Sequence, residues 1–312
     1  MNRIGRAAIA FGAAALGAFA VFLASTAPAT WRAFRGVHAD TAPIGPGDPA
    51  RGRVVFDAGG CASCHMAPGS DDRSRLPGGI RLPTTFGIFV VPNLSSDSVA
   101  GIGEWDLTDF VRAMREGVAP DGRHYYPSFP YTSYQRMTGS DLADLFAYLK
   151  TLPPVSDRQP DHELSFPFSI RRGLGLWKLA HLDGRVFVAD PERSAEWNRG
   201  AYLVEGPGHC AECHSPRNAL GAIPAGRRFA GGQDPEGTGG RIPNITPHRD
   251  GLEKWSRDDV AELLETGFTP EYDSVGGTMA AVVRNTARLT KSDREAIATY
   301  LLSLPPRPGK DP

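Results

Sequence analysis

All four cysteines of this 312-residue chain fall in two strings of the same form, Cys61-Ala62-Ser63-Cys64-His65 and Cys210-Ala211-Glu212-Cys213-His214. No cysteine is left to pair elsewhere. In each string two thiols three positions apart share one helical turn, and an imidazole follows directly. That spacing lets both thiols add to the vinyl groups of one haem while the histidine reaches the iron, and C-x-x-C-H is the attachment signature of haem c. Two other chemistries fit less well. Four-cysteine zinc sites set their pairs about 15–20 residues apart, whereas 145 residues separate Cys64 from Cys210. Zinc also gives no reason for a histidine after each pair. A thioredoxin-type redox pair needs a βαβ setting, which the sequence does not present. The expectation is two covalently bound haem c groups, with His65 and His214 as iron ligands.

The pentads begin 149 residues apart, and other landmarks repeat at nearly the same offset. Val91-Pro92-Asn93-Leu94-Ser95 answers Ile242-Pro243-Asn244-Ile245-Thr246, Trp105 answers Trp255, and Tyr148-Leu149 answers Tyr300-Leu301. Each half carries three helical signals. A short amphipathic run precedes each pentad, Ala50 to Phe56 and Trp197 to Val204. A middle helix follows, Trp105 to Met114 and Trp255 to Leu264, with Asp106 and Ser256 placed as caps. Last come Thr138-x-x-Asp141 and Thr290-x-x-Asp293, which read as capping boxes with Asp in place of Glu and open a final helix that prolines end. The fold class expected is all-α: two tandem class I-like cytochrome c domains over residues 45–155 and 196–308. Gly and Pro make up a fifth of the chain and hydrophobic residues 41%, so the protein core is thin and a large apolar cofactor completes it. Between the domains, residues 156–195 are too apolar for a free linker. They read as a strap packing the domains together, or as a segment touching membrane or partner.

Arg3 and Arg6 precede an uncharged run from Ala7 to Ser25. Its length favours a retained transmembrane helix within residues 1–30; its Ala and Gly content and Ala27-Pro28-Ala29 leave a cleaved signal as the alternative. Either exports the remainder of the chain, in a bacterium to the periplasm. Net charge is −1 and no segment is strongly basic, which excludes a nucleic-acid-binding role.

A c-type iron needs a sixth ligand, commonly Met or His from the later loop. In the second domain only Met279 remains, and Gly276-Gly277 before it predicts an irregular loop. The first domain is open: aligned on Thr138 and Thr290, the position matching Met279 is Pro127. Met137 is the first choice, although its match Leu289 points to a helix staple. His124 and an open iron are the alternatives. His38, His162, His181, His209 and His248 have no partner motif and default to surface or structural roles.

On both pentads, Pro92-Asn93-Leu94, Pro243-Asn244-Ile245-Thr246, Gly122-Arg123-His124 followed by Pro127-x-Phe129-Pro130-Tyr131, and Thr278-Met279-Ala280, the chain from about Asp48 resembles the membrane-anchored periplasmic c-type cytochrome subunits of bacterial alcohol, aldehyde, gluconate and nicotinate dehydrogenases. The resemblance implies electron transfer from a periplasmic dehydrogenase toward the respiratory chain, through a cytochrome, oxidase or quinone acceptor. Catalysis by the chain alone is not implied. Many members of that group have three haem domains where this chain has two, so direct quinone reduction is not carried over. Many also have Met where this sequence has Phe129, which bears on the first sixth ligand. The rival reading is a haem enzyme, a dihaem peroxidase or thiosulfate-oxidising cytochrome with an open first iron.

Overall fold

The computed structural model describes residues 3–35, 45–234 and 240–309. Met1, His38 and the ends of the export segment's flanks therefore lie outside the described residues. The chain opens with α1 (Arg3–Ser25), which turns into α2 (Pro28–Arg35). The first unit contains α3 (Pro49–Ala58), α4 (Cys61–His65), strands β1 (Arg81–Thr84) and β2 (Gly87–Val90), α5 (Leu107–Glu116), α6 (Tyr131–Tyr134) and α7 (Gly139–Thr151). The strap adds β3 (Glu163–Leu164) and α8 (Leu174–His181). The second unit holds α9 (Ala195–Glu205), a tight turn at Cys210–Glu212, strands β4 (Gly232–Gln233) and β5 (Arg241–Ile242), α10 (Arg257–Thr266), α11 (Gly277–Thr286) and α12 (Lys291–Leu302).

Helix starts follow the side chains that cap them. Asp106, Thr138, Ser256 and Thr290 each accept the backbone N–H three residues on, satisfying donors that the first helical turn cannot. The reciprocal half of the box forms at Ser256 with Asp259. At the two boxes expected from the sequence, Thr138 and Thr290, the carboxylates are engaged elsewhere: Asp141 accepts the Tyr202 hydroxyl at 2.5 Å and Asp293 pairs with Arg199 at 2.7 Å.

In both units the first and last helices cross in direct contact. The crossing point is a glycine each time. A Cβ on Gly52 would stand 1.9 Å from the Asp144 carbonyl oxygen, and one on Gly200 would stand 1.9 Å from that of Ala296. Only glycine lets the backbones approach so closely. Around the crossings lie two separate cores, one with Phe56, Phe110, Met114, Leu142 and Leu149, the other with Val204, Phe229, Leu264, Ile297 and Leu301.

The all-α expectation needs one correction. β1 and β2 form an antiparallel hairpin, Arg81 opposite Val90 through Thr84 opposite Gly87, and β3 of the strap pairs with the free edge of β2. Gly87-Ile88-Phe89-Val90, an apolar run bounded by glycine and by Pro92, carries the strand signal. The strap also reaches the second unit, where Trp177 Nε1–H donates to the Leu220 carbonyl at 2.9 Å and Phe187 packs on Tyr202.

No single helix among the described residues is long and apolar enough to cross a membrane. The pair Ile9–Ser25 and Pro28–Arg35, bent by 65°, reaches that length and composition together. α2 belongs to the folded body: Trp31 is buried against Tyr131 and Leu182, its Nε1–H donates to the Leu182 carbonyl at 3.1 Å, and Arg32 pairs with Glu116.

Candidate haem-binding sites

Each pentad follows a helix that ends in a glycine-containing turn. Gly60, at φ 60°, turns the chain into α4, so Cys61 and Cys64 emerge on one short helix with His65 at its end. No disulfide joins any of the four cysteines. Burial pushes the thiols of Cys61 and Cys210 up to about 12, which keeps them neutral.

The two histidines are held alike. His65 donates Nδ1–H to the Pro92 carbonyl at 2.9 Å, and His214 donates Nδ1–H to the Pro243 carbonyl at 2.8 Å. That bond puts the proton on Nδ1 and leaves the Nε2 lone pair for a metal. Desolvation pulls His65 down to about 4 and lowers His214 as well, so both rings are neutral at physiological pH. Behind each ring the backbone closes in the same way. The His65 carbonyl accepts from Gly78 N–H at 2.8 Å and that of His214 from Gly231 N–H at 2.9 Å. Both glycines have φ of 73°, and a Cβ on either would strike the carbonyl of the Pro-Asn loop. Asn93 and Asn244 tie those loops to the chain beyond the last helix, donating to the Val155 and Arg307 carbonyls at 2.6 and 2.7 Å.

This donor set fits haem c: two thiols on one turn, then an imidazole with a fixed tautomer, twice. It does not fit a shared zinc site, because among the described residues no three His, Cys, Asp or Glu side chains converge on a metal position.

The sixth-ligand candidates sit in different surroundings. Met279 lies in the first turn of α11, half-buried against the second core, so the irregular loop expected there is a helix start with Gly276 as its cap. Gly277, at φ 55°, supplies the bend without breaking the helix. Met137 is 1% exposed in the first core, into which Cys61 also packs. It directly precedes the cap Thr138, as buried Leu289 precedes Thr290. Phe129 fills the place the resembled cytochromes give to methionine, its ring against Tyr125, Tyr131 and Tyr134.

His124 is removed as a ligand by its own hydrogen bonds. Nε2–H donates to the Thr26 carbonyl at 2.8 Å, and Nδ1 accepts from Lys178 Nζ at 3.0 Å. The buried Lys178 also donates to the Glu116 and Gly117 carbonyls and lies over the Tyr131 ring. This node joins the N-terminal helices, the strap and the first unit. Sequence reasoning did not find it, because Thr26, His124 and Lys178 are far apart in the chain and no pattern links them.

His209 takes the structural one of its two default roles, and takes it across the two units. It precedes Cys210 directly, has a left-handed backbone (φ 39°), and donates Nε2–H to the Gly59 carbonyl of the first unit at 3.2 Å. The one sequence signal was that Gly60 occupies the matching position in the first half.

Fold and site together define a c-type cytochrome with two haem-attachment domains. The chain belongs to the cytochrome c family, whose model matches residues 49–153 and 198–305. Among similar proteins, a dihaem cytochrome c of Cereibacter sphaeroides is 52% identical over 83% of this chain and 86% of its own length. A nicotinate dehydrogenase subunit of Pseudomonas putida is 42% identical over 83% of this chain, and the match spans 21% of that protein. The fructose dehydrogenase cytochrome subunit of Gluconobacter japonicus is 38% identical over 82% of the chain, and the match spans about half of it, 52%. This protein is a dihaem electron-transfer cytochrome carrying two covalent haem c groups.

Proposed function

We propose that this chain is the electron-carrying subunit of a periplasmic dehydrogenase complex, taking electrons from a dehydrogenase partner and passing them toward the respiratory chain through a cytochrome, oxidase or quinone. Two complete haem-attachment frameworks in one folded body are the observation that carries this reading. The relatives named as dehydrogenase subunits agree with it. Bound haem supplies one-electron chemistry. The chain's own residues hold it through Cys61, Cys64, Cys210 and Cys213, orient His65 and His214 by their bonds to Pro92 and Pro243, and keep water from the buried face with the two cores. Met279 is the sixth ligand we propose for the second iron, and Met137 the one for the first. Burial of Met137 beside the packing of Cys61 supports that choice. An open first iron is what a peroxidase or thiosulfate-oxidising cytochrome would require, and no relative's name favours it.

The N-terminal segment, in this reading, is a retained anchor in the bacterial cytoplasmic membrane with the haem domains outside. Its support is the docking of Thr26, Trp31 and Arg32 on the first unit and strap: cleavage after Ala29 would remove the acceptor of His124 and uncover Gly175, which packs on Thr26. The test is reduction by a purified periplasmic dehydrogenase of the kind its relatives' names give, such as nicotinate or fructose dehydrogenase. Both haems should reduce within one enzyme turnover, and detergent should be needed to extract the chain with Thr26 intact. Failure of the partner to reduce either haem would sink the proposal.

A further inference from the structure

We propose that His209 is a positioning residue that locks the second haem-attachment turn onto the first and so sets the rate of electron exchange between the two haems. The inference deepens the electron-carrier reading and rests on it.

Side-chain hydrogen bonds join each attachment turn to the opposite unit, and two of them are related by the internal repeat. Asn285 Nδ2–H donates to Ser63 Oγ at 2.7 Å, and Ser133 Oγ–H donates to Glu212 Oε1 at 2.8 Å. Ser63 and Glu212 are the third residues of their pentads; Asn285 and Ser133 each lie five residues before the final-helix cap. Each unit thus grips the other's attachment turn with the same structural position. Thr132 adds a second hydroxyl to Glu212, whose other oxygen accepts from Arg217. The pairing is reciprocal, as contacts across a two-fold arrangement are.

His209 stands between these two grips and breaks the symmetry. Its counterpart Gly60 takes the left-handed backbone (φ 60°, ψ 24°) without strain, whereas His209 adopts nearly the same conformation (φ 39°, ψ 34°) with a full side chain. A strained backbone persists only where its surroundings hold it, and here they do. The ring reaches across to the Gly59 carbonyl and meets the Tyr134 ring edge-on at 5.6 Å, with a plane angle of 81°. On the first unit Asn285 covers the open face of Gly60, which has no side chain to reach back. His209 adjoins Cys210 by a peptide bond, and its acceptor Gly59 lies two residues before Cys61. One hydrogen bond therefore completes a path from the thiol that holds one haem to the thiol that holds the other.

The experiment uses the full chain with both haems and a chemical one-electron reductant, so no dehydrogenase is involved and the outcome is separate from that of the partner test. Substoichiometric pulse reduction is followed by the redistribution of the electron between haems. His209→Gly relieves the backbone strain and removes the ring; His209→Asn tolerates the left-handed backbone and is too short to reach Gly59. In variants that hold two haems per chain, redistribution should slow by an order of magnitude or more while each haem's own spectrum is unchanged. Asn285→Ala should slow it in the same direction. A wild-type rate in either His209 variant with both haems attached overturns the assignment.

Discussion

Replacing Gly52 by alanine tests the close helix crossing on which the first haem site rests. The new Cβ would lie 1.9 Å from the Asp144 carbonyl oxygen, 2.5 Å from its carbon and 2.8 Å from Tyr148 Cβ. Ordinary contact begins near 3.4 Å, so α7 must retreat by about 1.5 Å from α3. The obstacle is backbone inside a helix, not the end of a flexible side chain. Retreat also pulls Asp144 from Arg51, which it holds through bonds of 2.7 and 2.8 Å. Helix propensity favours alanine by about 1 kcal/mol and overpacking costs about 1–3 kcal/mol or more, with this overlap at the upper end; the net loss should reach about 2 kcal/mol. For a domain of this size that lowers the melting temperature by about 8 °C or more. Because α3 leads directly into Cys61, the first haem should be lost preferentially, and the pyridine haemochrome count should fall from two toward one. Gly200→Ala should do the same to the second domain. Gly226, with nothing within 4 Å of its Cβ position, is the control. A Gly52→Ala protein with both haems and an unchanged first-domain transition in calorimetry would refute the argument.

Met279→Ala should abolish the methionine–iron charge-transfer band of the second haem and lower its reduction potential, read by spectropotentiometry. Met137→Leu matches the packing of Leu289, so it should cost less than about 1.5 kcal/mol of stability. If Met137 binds iron, that variant's first haem becomes high-spin and takes up carbon monoxide; an unchanged spectrum would make Met137 a helix staple only. His124 is held down to about 4 by burial and by the nearby positive charge of Lys178, Arg172 and Arg112, against 6.5 when unfolded. Below pH 6.5 the unfolded chain therefore takes up the proton first, so stability should fall as pH drops from about 6.5 to about 4 and be level, for this group, above that range. Thermal melts across that window should show a shallower slope in His124→Gln, and an identical slope would count against the buried node.

The sequence made the helices and the proximal ligands readable because each is written locally. Asp106, Thr138, Ser256 and Thr290 cap helices beginning one residue later. Cys61, Cys64 and His65 need only one turn of chain to come together. What stayed hidden depends on distant partners. The edge of β2 is completed by a strand more than seventy residues on, and His124 is taken out of contention by Thr26 and Lys178. The loop expected before Met279 failed for a local reason: the Gly pair was read as irregular backbone, yet a glycine can cap a helix and another can bend its first turn.

Comparing the two halves position by position separates scaffold from function. Where they agree, the residues serve needs that any haem domain of this kind shares: Gly52 and Gly200 at the helix crossing, Gly78 and Gly231 behind the histidine, Asn93 and Asn244 tying the loop. Duplicated positions that kept the same role carry little information about direction of flow, since either half could do either task. The differences carry it. Gly60 faces His209, Pro127 faces Met279, and Met137 faces Leu289. Under the ligation proposed above, the second and third pairs would give the two irons different axial surroundings, and the first places the His209 ring on one side of the interface only. An electron moving between identical centres has no preferred direction. Unequal axial surroundings would supply the gradient, and the His209 to Gly59 contact proposed above would hold the two attachment turns at one separation while it is used.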